Sequence, residues 1–453
     1  MTYDSSFTGI IGVAQEDITP PAGIYARNWG AATHDVAEGV HRPLKLTCIA
    51  LKEAEQDKPL VLISADLGWW KSAADEKELR GAILEAFQLE PSHLMFCLSH
   101  THAGPGLFSE DAAKPGGEYI VPYLKEIKEK AILAIQVALS SASVSTLSWR
   151  YGKCDLATNR DLPEDKSERF LVGYNPDQEA DDTLLVGRIA NSEGKTTGTI
   201  VNYACHPTTL AWDNKLISPD YVGAMRELLE DYNGAPCLFL QGASGELAPP
   251  EQYSGDYRLA DGYGRQLGYA ALGVLEAMYP ANYQLKLDQV VESGAPLAVW
   301  KKQARIASTQ LGLQMLNIPL ALKELPSLAE IESQWRECED HVIKERLWRM
   351  RGIRKTVGDG DVSIMPLWVW RVGEACLVGQ PNEAYSYFQQ EVREALSPNA
   401  VVVMNIVNGY AGYLPPRELY AKNMYAVWQT PFASGALEQL TATTIAAAKE
   451  LMK

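Results

Sequence analysis

Short apolar segments alternate with amphipathic segments along most of this chain. Six runs of apolar and β-branched residues end in polar or turn-forming residues, as buried strands do, and they lie at 59–68, 93–102, 196–207, 236–246, 374–383 and 400–410. Helical spacing of apolar residues predicts six helices, at 73–87, 123–140, 221–231, 260–278, 383–396 and 434–452. The alternation predicts an α/β fold in which mixed β-sheets are flanked by helices.

The segment 288–358 has a different pattern. It is richer in Lys, Arg and Glu, contains helical spacing, and has no strand signal before Ile364. We therefore predict a single domain over residues 1–453 that carries a helical insertion or cap at about 288–358. The basic residues between Lys344 and Lys355 are expected to form a solvated helix face paired with nearby Glu residues.

Composition and charge exclude several classes of protein. The chain has 453 residues, 46% hydrophobic and 22% charged, which is typical of a soluble globular protein and not of a disordered one. No apolar run approaches the roughly 18 to 20 residues that cross a bilayer, so no integral membrane association is expected. The formal net charge of -16 would repel a phosphate backbone. We therefore expect a small-molecule substrate and no nucleic-acid partner, while the oligomeric state stays open.

The N-terminus and the cysteines bear on cellular location. The first residues contain no basic segment followed by an apolar one, so we predict a cytoplasmic protein. The seven cysteines are odd in number, scattered and mostly embedded in apolar strand-like segments, with no CxxC pair among them. This pattern favours reduced core thiols over disulfides or a zinc finger.

Three of the seven histidines follow predicted strands. His100 and His102 are two residues apart in SHTHAGPG, so in an extended segment their side chains share a face, roughly 6 to 7 Å apart. Neighbouring imidazoles suit a metal ligand beside an acid–base group, although a structural pair has the same spacing. His206 in NYACHPTT and Glu383 in GQPNEA could complete a metal site. Both also have structural interpretations, as a hydrogen-bonded histidine and as a carboxylate at the start of a helix.

Seven motifs follow the same order as the motifs of the neutral ceramidase family of zinc amidohydrolases, which this chain resembles from about Ile10 to Tyr425. They are GVAQEDITPPAG, SHTHAGPG, NYACHPTT, LISPDYVGAM, FLQGASGELAPP, GQPNEA and NGYAGYLPPRELYAKNMY. The resemblance implies a neutral-ceramidase-like catalytic domain that binds one zinc ion per chain and hydrolyses an amide bond.

The resemblance also implies which residues bind the metal. The four implied zinc ligands are His100, His206, Glu383 and Tyr413. We assign Tyr413 over Tyr410 because the family has a second, substrate-contacting tyrosine twelve positions after its ligand, and Tyr425 fits that spacing. Zinc with such ligands can lower the pKa of a bound water to roughly 7 and polarise a carbonyl. Another divalent ion that accepts N and O ligands is an alternative.

Three further residues resemble the family's catalytic groups. His102 would handle protons, and Arg160 with Tyr425 would hold the substrate carbonyl or its oxyanion. Asp66 and Asp220 are expected to order loops around the site or to cap helices.

Two departures from the family pattern bear on the substrate. Ala248 stands where the family has a serine with an assigned catalytic role, so a serine mechanism at that position is excluded and a metal-water mechanism is expected. We also expect neither the β-sandwich domain that follows the catalytic domain in ceramidases nor a secretory signal. Both departures favour a soluble N-acyl compound over ceramide as the expected substrate.

Aromatic residues give one more indication about the substrate. If they line the pocket, they suit flat apolar or sugar-ring faces, although ordinary packing also explains them. The candidates are Tyr25, Trp29, Trp69, Trp70 and Trp212. We therefore predict a zinc-dependent hydrolase that cleaves a carboxamide. The alternatives are an ester, lactone or sugar-derivative hydrolase with the same metal site, and a metal- or ligand-binding protein without catalytic activity.

Overall fold

A computed structural model describes residues 3–453 of the chain. Its α-helices are α1 (Ala73–Phe87), α2 (Ile120–Ser140), α3 (Tyr221–Asn233), α4 (Tyr257–Ala277), α5 (Leu328–Glu337), α6 (His341–Val357), α7 (Ser386–Leu396), α8 (Tyr425–Gln429) and α9 (Ala436–Leu451). All six helices predicted from the sequence are present, with ends that differ by a few residues.

The strands include all six predicted ones. They are β1 (Ser5–Asp17), β2 (Gly39–Val40), β3 (Lys45–Lys52), β4 (Leu60–Ala65), β5 (Leu94–Leu98), β6 (Ser143–Lys153), β7 (Thr158–Asn159), β8 (Asp161–Pro163), β9 (Phe170–Val172), β10 (Thr183–Asn191), β11 (Thr196–Tyr203), β12 (Leu216–Ile217), β13 (Cys237–Gln241), β14 (Leu247–Ala248), β15 (Tyr283–Glu292), β16 (Pro296–Ala304), β17 (Leu311–Ala321), β18 (Val362–Val372), β19 (Ala375–Gly379), β20 (Glu383–Ala384), β21 (Ala400–Met404) and β22 (Tyr413–Leu414).

Two mixed sheets form the body of the fold. The larger has eight strands in the order β13-β11-β10-β6-β1-β3-β4-β5, and the smaller has four in the order β17-β18-β19-β21. Within them β4 with β5, β11 with β13, and β19 with β21 are parallel, while the other neighbours are antiparallel. The predicted α/β class with mixed sheets is confirmed.

The two sheets pack face to face, and helices cover their outer faces. The core between the sheets combines residues of the large sheet, such as Phe7 and Trp149, with Trp368 and Trp370 of β18. Helices α1 to α4 cover the outside of the large sheet, and α7 with α9 cover the small one. This arrangement buries both faces of the parallel strands, which explains their continuous apolar sequences.

The large sheet curls until its two edge strands, β5 and β13, approach each other. The segment after β21 connects them, because the Asn405 N–H donates to the Gln241 carbonyl (3.0 Å) and the Leu98 N–H donates to the Ile406 carbonyl (3.4 Å). The Asn408 side chain also donates to the Leu94 carbonyl (2.8 Å). The carboxyl ends of β5, β11, β13, β19 and β21 therefore converge on one region.

The segment 288–358 differs from its prediction. Strands β15, β16 and β17 occupy 283–321, so only α5 and α6 are helical. The hairpin of β15 and β16 is exposed on both faces, and exposed strands need no alternation of apolar and polar residues. Its strands contain three Lys and three Gln among their apolar residues and gave no strand signal in the sequence. Glu383 lies in β20 and not at a helix start, since α7 begins at Ser386.

Two sequence expectations concern thiols and membrane spans. All seven cysteines are free, and all except the partly buried Cys338 are buried. Within residues 3–453, no helix combines the length and the apolar character that a membrane span requires.

A buried ion pair joins the large sheet to α3. The Asp66 carboxylate, just after β4, accepts two hydrogen bonds from the Arg226 guanidinium (2.5 Å each) and one from the Lys45 N–H (2.8 Å). Both side chains are at least 95% buried. Asp66 thus orders the loop after β4, as expected from the sequence.

We expect Asp66→Ala to lower the free energy of unfolding by about 3 to 5 kcal/mol, because it leaves the Arg226 charge buried without a partner. Urea denaturation followed by tryptophan fluorescence measures this change. The matched control is Glu129→Ala, which removes the exposed ion pair with Lys125 and should cost less than about 1 kcal/mol. Equal losses in the two variants would contradict the assignment.

Candidate metal centre

The loops after β4 and β5 position the first histidine. His100 lies two residues beyond β5 and has a φ of 70°, in the left-handed region that residues with a Cβ rarely adopt. Backbone hydrogen bonds hold this conformation, since the N–H groups of Ser99 and His100 donate to the carbonyls of Ala65 and Leu67 (2.9 Å each). The His100 side chain is buried.

Three side chains from different strand ends meet at one point. The Oε2 atom of Glu383 lies 2.8 Å from Nε2 of His206 and 3.4 Å from Nε2 of His100. All three residues are at most 3% exposed. The structure thus brings together three of the four predicted metal ligands.

The hydrogen bonds at Nδ1 fix which nitrogen of each ring is free. His100 Nδ1 donates to the Gly68 carbonyl (3.1 Å), and His206 Nδ1 donates to the Leu247 carbonyl (3.1 Å). In the neutral rings, Nε2 is therefore a lone-pair acceptor. Two acceptors then face a carboxylate oxygen, which is unfavourable unless a cation or a proton lies between them. Among the described residues, no group donates to His100 Nε2.

The electrostatics of the three groups suit a divalent cation. Burial and the Arg160 charge lower the pKa of His206 to about 4, so its imidazole is neutral at pH 7. Burial alone would raise the pKa of Glu383, but the neighbouring His100 and His206 outweigh it and hold that pKa well below its usual range. The neutral imidazole of His206 and the ionised carboxylate of Glu383 belong to the types of ligand that zinc and similar ions accept.

His102 lies beside these ligands and faces the cavity. Its ring centre is 4.9 Å from that of His100, and the nearest ring nitrogens of His100, His102 and His206 all lie within 4.8 Å of one another. Neither nitrogen of His102 has a hydrogen-bond partner among the described residues. Burial, with the adjacent His100 and His206, holds its pKa well below the usual value. The geometry thus permits His102 either as a further ligand or as a proton carrier.

Both candidate tyrosines reach Glu383. The Tyr410 hydroxyl donates to Oε1 (2.8 Å), which is the oxygen farther from the histidines, and the Tyr413 hydroxyl also interacts with the carboxylate. Tyr413 stacks on the His206 ring with 6° between the planes. Its hydroxyl accepts a hydrogen bond from Arg160 Nη2 (3.0 Å). Arg160 Nη2 thus lies between the Tyr413 hydroxyl and Nε2 of His206, from which it is 3.2 Å away.

Arg160 is held rigidly behind the site. Its Nε and Nη2 donate to the Gly245 carbonyl (3.2 and 2.8 Å), and Nη2 lies 3.2 Å from Nε2 of His206. The side chain is buried, yet it borders the cavity. Segment 245–248 thus supports two site residues through its carbonyls, while Ala248 pairs with β7 and Ser244 accepts a hydrogen bond from Gln241 (2.6 Å).

Helix α6 covers the site, which corrects the prediction of a solvated basic face. Arg349 of this helix donates to the Tyr425 hydroxyl (3.0 Å) and to the Asn28 carbonyl (3.3 Å), and it pairs with Glu345 (3.0 Å). Arg354 is buried as well. Helical spacing in the sequence does not distinguish an arginine that faces a cavity from one that faces solvent. Arg349 was therefore missed as a site residue.

A cavity of about 490 Å³ opens in front of the candidate ligands. His102, Arg160, Tyr413 and Tyr425 all line it, so the structure brings every predicted catalytic residue to one space. Its aromatic wall comes from Trp29, Trp212 and Tyr253.

Three of the predicted aromatic residues border this region. Trp29 and Trp69 contact the His102 ring, with ring centres 5.1 and 4.9 Å away, and Trp212 packs edge-on against Trp29. Trp70 instead lies in the core against Phe96.

Asp220 orders the loop after His206. Its carboxylate accepts hydrogen bonds from the N–H groups of Leu210 (2.9 Å) and Tyr221 (2.7 Å). Burial raises its pKa to about 6. Asp220 therefore both caps α3 and supports the loop, the two roles expected from the sequence.

Comparisons with known proteins agree on one family. The family profile described as "Neutral/alkaline non-lysosomal ceramidase, N-terminal" matches residues 10–238. The neutral ceramidase of Pseudomonas aeruginosa is 24% identical over 498 aligned positions, which cover 97% of this chain and 72% of that protein. Neutral ceramidase 2 of Arabidopsis thaliana is 25% identical over 236 positions, which cover 49% of this chain and 30% of the plant protein.

Solved structures support the same fold. The crystal structure of neutral ceramidase from Pseudomonas aeruginosa superposes with a TM-score of 0.70 over 99% of this chain and 75% of that chain, at 18% identity. A structure described as ceramidase complexed with C2 superposes with a TM-score of 0.68 at 17% identity, over 99% of this chain and 76% of that chain.

We predict that the purified protein contains about one divalent metal ion per chain, and that Glu383→Gln loses it because the only ionised ligand is removed. Mass spectrometric elemental analysis of protein prepared without chelators measures the content. His93→Ala is the control, since His93 lies outside the cluster, and it should retain the metal. Metal-free wild-type protein, or a Glu383→Gln variant with full metal content, would contradict the site.

We further predict that Tyr413→Phe weakens metal affinity by about tenfold or more relative to Tyr410→Phe, because the Tyr413 hydroxyl shares Arg160 Nη2 with Nε2 of His206 and its ring is parallel to the His206 ring. Competition titration with a chromophoric chelator measures both affinities, and both variants lose one hydroxyl each. A larger effect at Tyr410 would transfer the ligand assignment to that residue.

Proposed function

Because the chain belongs to the neutral/alkaline non-lysosomal ceramidase family, we propose that it hydrolyses the amide bond of a soluble N-acyl compound at one zinc ion. The observation that carries this proposal is the meeting of two imidazoles and the Glu383 carboxylate beside His102, Arg160 and Tyr413, which line a cavity of about 490 Å³. A cytoplasmic location also stays part of the proposal.

The four proposed ligands are His100, His206, Glu383 and Tyr413. When bound, zinc would polarise the amide carbonyl and lower the pKa of the attacking water. The chain's contribution is a rigid and buried ligand set, in which backbone carbonyls orient both imidazoles.

His102 is the proposed proton carrier. Its lowered pKa makes the free ring neutral at pH 7, so it cannot begin as an acid. It must first accept a proton from the attacking water, after which it can donate that proton to the leaving nitrogen. Both of its nitrogens are unpartnered among the described residues, which leaves one free for each direction of transfer.

Arg160 and Tyr425 are the proposed donors to the developing oxyanion. Arg160 stays protonated and its side chain borders the cavity, with Nη2 held by the Gly245 carbonyl and the Tyr413 hydroxyl. The Tyr425 oxygen already accepts a hydrogen bond from Arg349, so its own O–H remains to donate toward substrate. Arg349 is therefore a positioning residue for Tyr425. Donors fixed in advance of the reaction stabilise such charge most effectively.

We predict that the zinc-loaded protein releases amine from N-acyl amino compounds faster than it hydrolyses the matched esters or ceramide. A panel of amide and ester pairs, assayed for product by mass spectrometry, measures the preference. Preferred ester or lactone turnover would replace the amide assignment, and preferred ceramide turnover would replace the soluble substrate. No turnover by fully metal-loaded protein across the panel would favour a binding function.

We predict that His102→Ala lowers kcat by about 10²- to 10⁴-fold while the metal stays bound, because only proton transfer is lost. Turnover and elemental analysis on the same preparation test both parts, with His93→Ala as the control for removing an imidazole. If metal is lost together with activity, His102 is a ligand and the proposed proton carrier is wrong.

A further inference from the structure

A second cavity, which we call the basic cavity, adjoins the cavity at the metal centre. It has a volume of about 360 Å³ and shares Trp29, Glu345 and Arg349 with the wall of the first. Trp69 separates its interior from the histidines, since this ring lies 5.6 Å from the His100 ring and 5.4 Å from the Lys71 ammonium. A single molecule of moderate size could therefore contact both cavities.

The lining of the basic cavity carries an excess of positive charge, whereas the protein as a whole is negatively charged. Five cationic side chains line it, against two carboxylates, Asp35 and Glu345; the cations are Arg27, Lys71, Lys114, Lys344 and Arg349. The chain as a whole carries a net charge of -16. A local excess of positive charge in a concave space attracts anions and raises their local concentration.

Lys71, like Lys344, has no carboxylate partner among the described ion pairs, whereas the other three cations of the lining do. Arg27, Lys114 and Arg349 pair with Asp35, Asp111 and Glu345 respectively. The Lys71 ammonium donates to the amide oxygen of Asn28 (3.0 Å), and no described ion pair includes it.

Burial lowers the pKa of Lys71 to about 8. The charges of Lys114 and Arg349 also lower this pKa, whereas the charge of Asp111 raises it. The nearby Asp111 and Glu345 attract the Lys71 ammonium without bonding to it, and an anionic ligand would supply a bonded counter-charge.

Aromatic rings surround the ammonium groups. Lys71 lies 5.4 Å from the ring centres of both Trp69 and Trp348, and Lys114 lies 4.7 Å from the Tyr25 ring centre. Walls of this kind favour a ligand with a flat or apolar body next to its charge.

We propose that the basic cavity binds an organic anion, namely the carboxylate, phosphate or sulfate end of the compound whose amide is cleaved at the metal centre. The part of this inference that concerns amide cleavage rests on the proposed function. The part that concerns anion binding rests on the residues of the basic cavity alone. Lys71 is the residue that recognises the charge, with Lys114 and Arg349 adding to the field and Trp348 contacting the apolar body.

Equilibrium binding to the metal-loaded protein tests the anion site without requiring turnover. The probes are phenylacetate, phenyl phosphate and the neutral phenylacetamide, and tryptophan fluorescence reports binding because Trp69 and Trp348 line the cavity. We expect both anions to bind more tightly than phenylacetamide. Lys71→Met should weaken anion binding by about tenfold or more, because one charged hydrogen bond is lost.

Two further variants show whether anion binding depends on the charge of the basic cavity. Lys125→Met removes an exposed lysine of α2 and should leave anion binding unchanged. Lys114→Met removes a second positive charge from the basic cavity. The metal content and the melting temperature of each variant show whether it is folded. Anion binding that is unchanged in folded Lys71→Met would place the anion on the metal and overturn the proposal. Equal affinity for phenylacetamide, or no anion binding, would also overturn it.

A matched substrate pair then distinguishes the two proposals. N-acetylphenylalanine carries a carboxylate and N-acetylphenylalaninamide does not, and release of acetate measures turnover of both. A preference for the anionic compound that Lys71→Met abolishes supports the inference. Equal turnover of both compounds overturns the anion preference and leaves amide hydrolysis standing. Anion binding through Lys71 without any turnover supports the anion site and overturns the proposed hydrolysis.

Discussion

The arrangement around Glu383 is the constraint on which the site depends. Its carboxylate is buried against the Nε2 atoms of His100 and His206, whose other nitrogens are bound to backbone carbonyls. Neither ring can rotate without losing its carbonyl partner. Arg160 lies beside Nε2 of His206, so the acceptor left without a donor among the described residues is Nε2 of His100, where a cation or a proton would relieve the repulsion from Glu383. The packing of the surrounding fold offsets the free-energy cost of burying these three side chains together. The strand ends of both sheets must keep their relative positions for the two Nε2 atoms and the Glu383 carboxylate to meet.

The curled sheet makes that register possible. His100 follows β5, His206 follows β11, and Glu383 follows β19 of the other sheet, so the ligands come from widely separated parts of the chain. The segment after β21 bonds to both edge strands of the large sheet and continues into Tyr410 and Tyr413. The segment after β21 therefore both joins the edges of the large sheet and positions the two tyrosines. A change that weakens the sheet at these edges would consequently also change the geometry of the site.

The sequence predicted the buried parts of the protein better than the exposed ones. Apolar runs bounded by turn residues located β4, β5, β11, β13, β19 and β21, because burial on both faces leaves a clear signal. The exposed hairpin of β15 and β16 leaves no such signal and was predicted as helix. Likewise, the motifs predicted that His100, His206 and Glu383 lie together, as the structure shows, whereas Arg349 was expected on a solvated face until the packing of α6 was known. The chemical roles assigned to these residues stay predictions.

Closure of the large sheet also affects how the protein behaves toward other chains. An open edge strand exposes unpaired N–H and C=O groups that can template intermolecular β-pairing. Here the outer side of β5 is bonded along the segment 406–408, and the Phe239 carbonyl of β13 accepts a hydrogen bond from Ser64. The most apolar strands of the protein are thus withheld from edge-to-edge association. The segment that delivers the tyrosines to the site consequently also occupies the outer edge of β5.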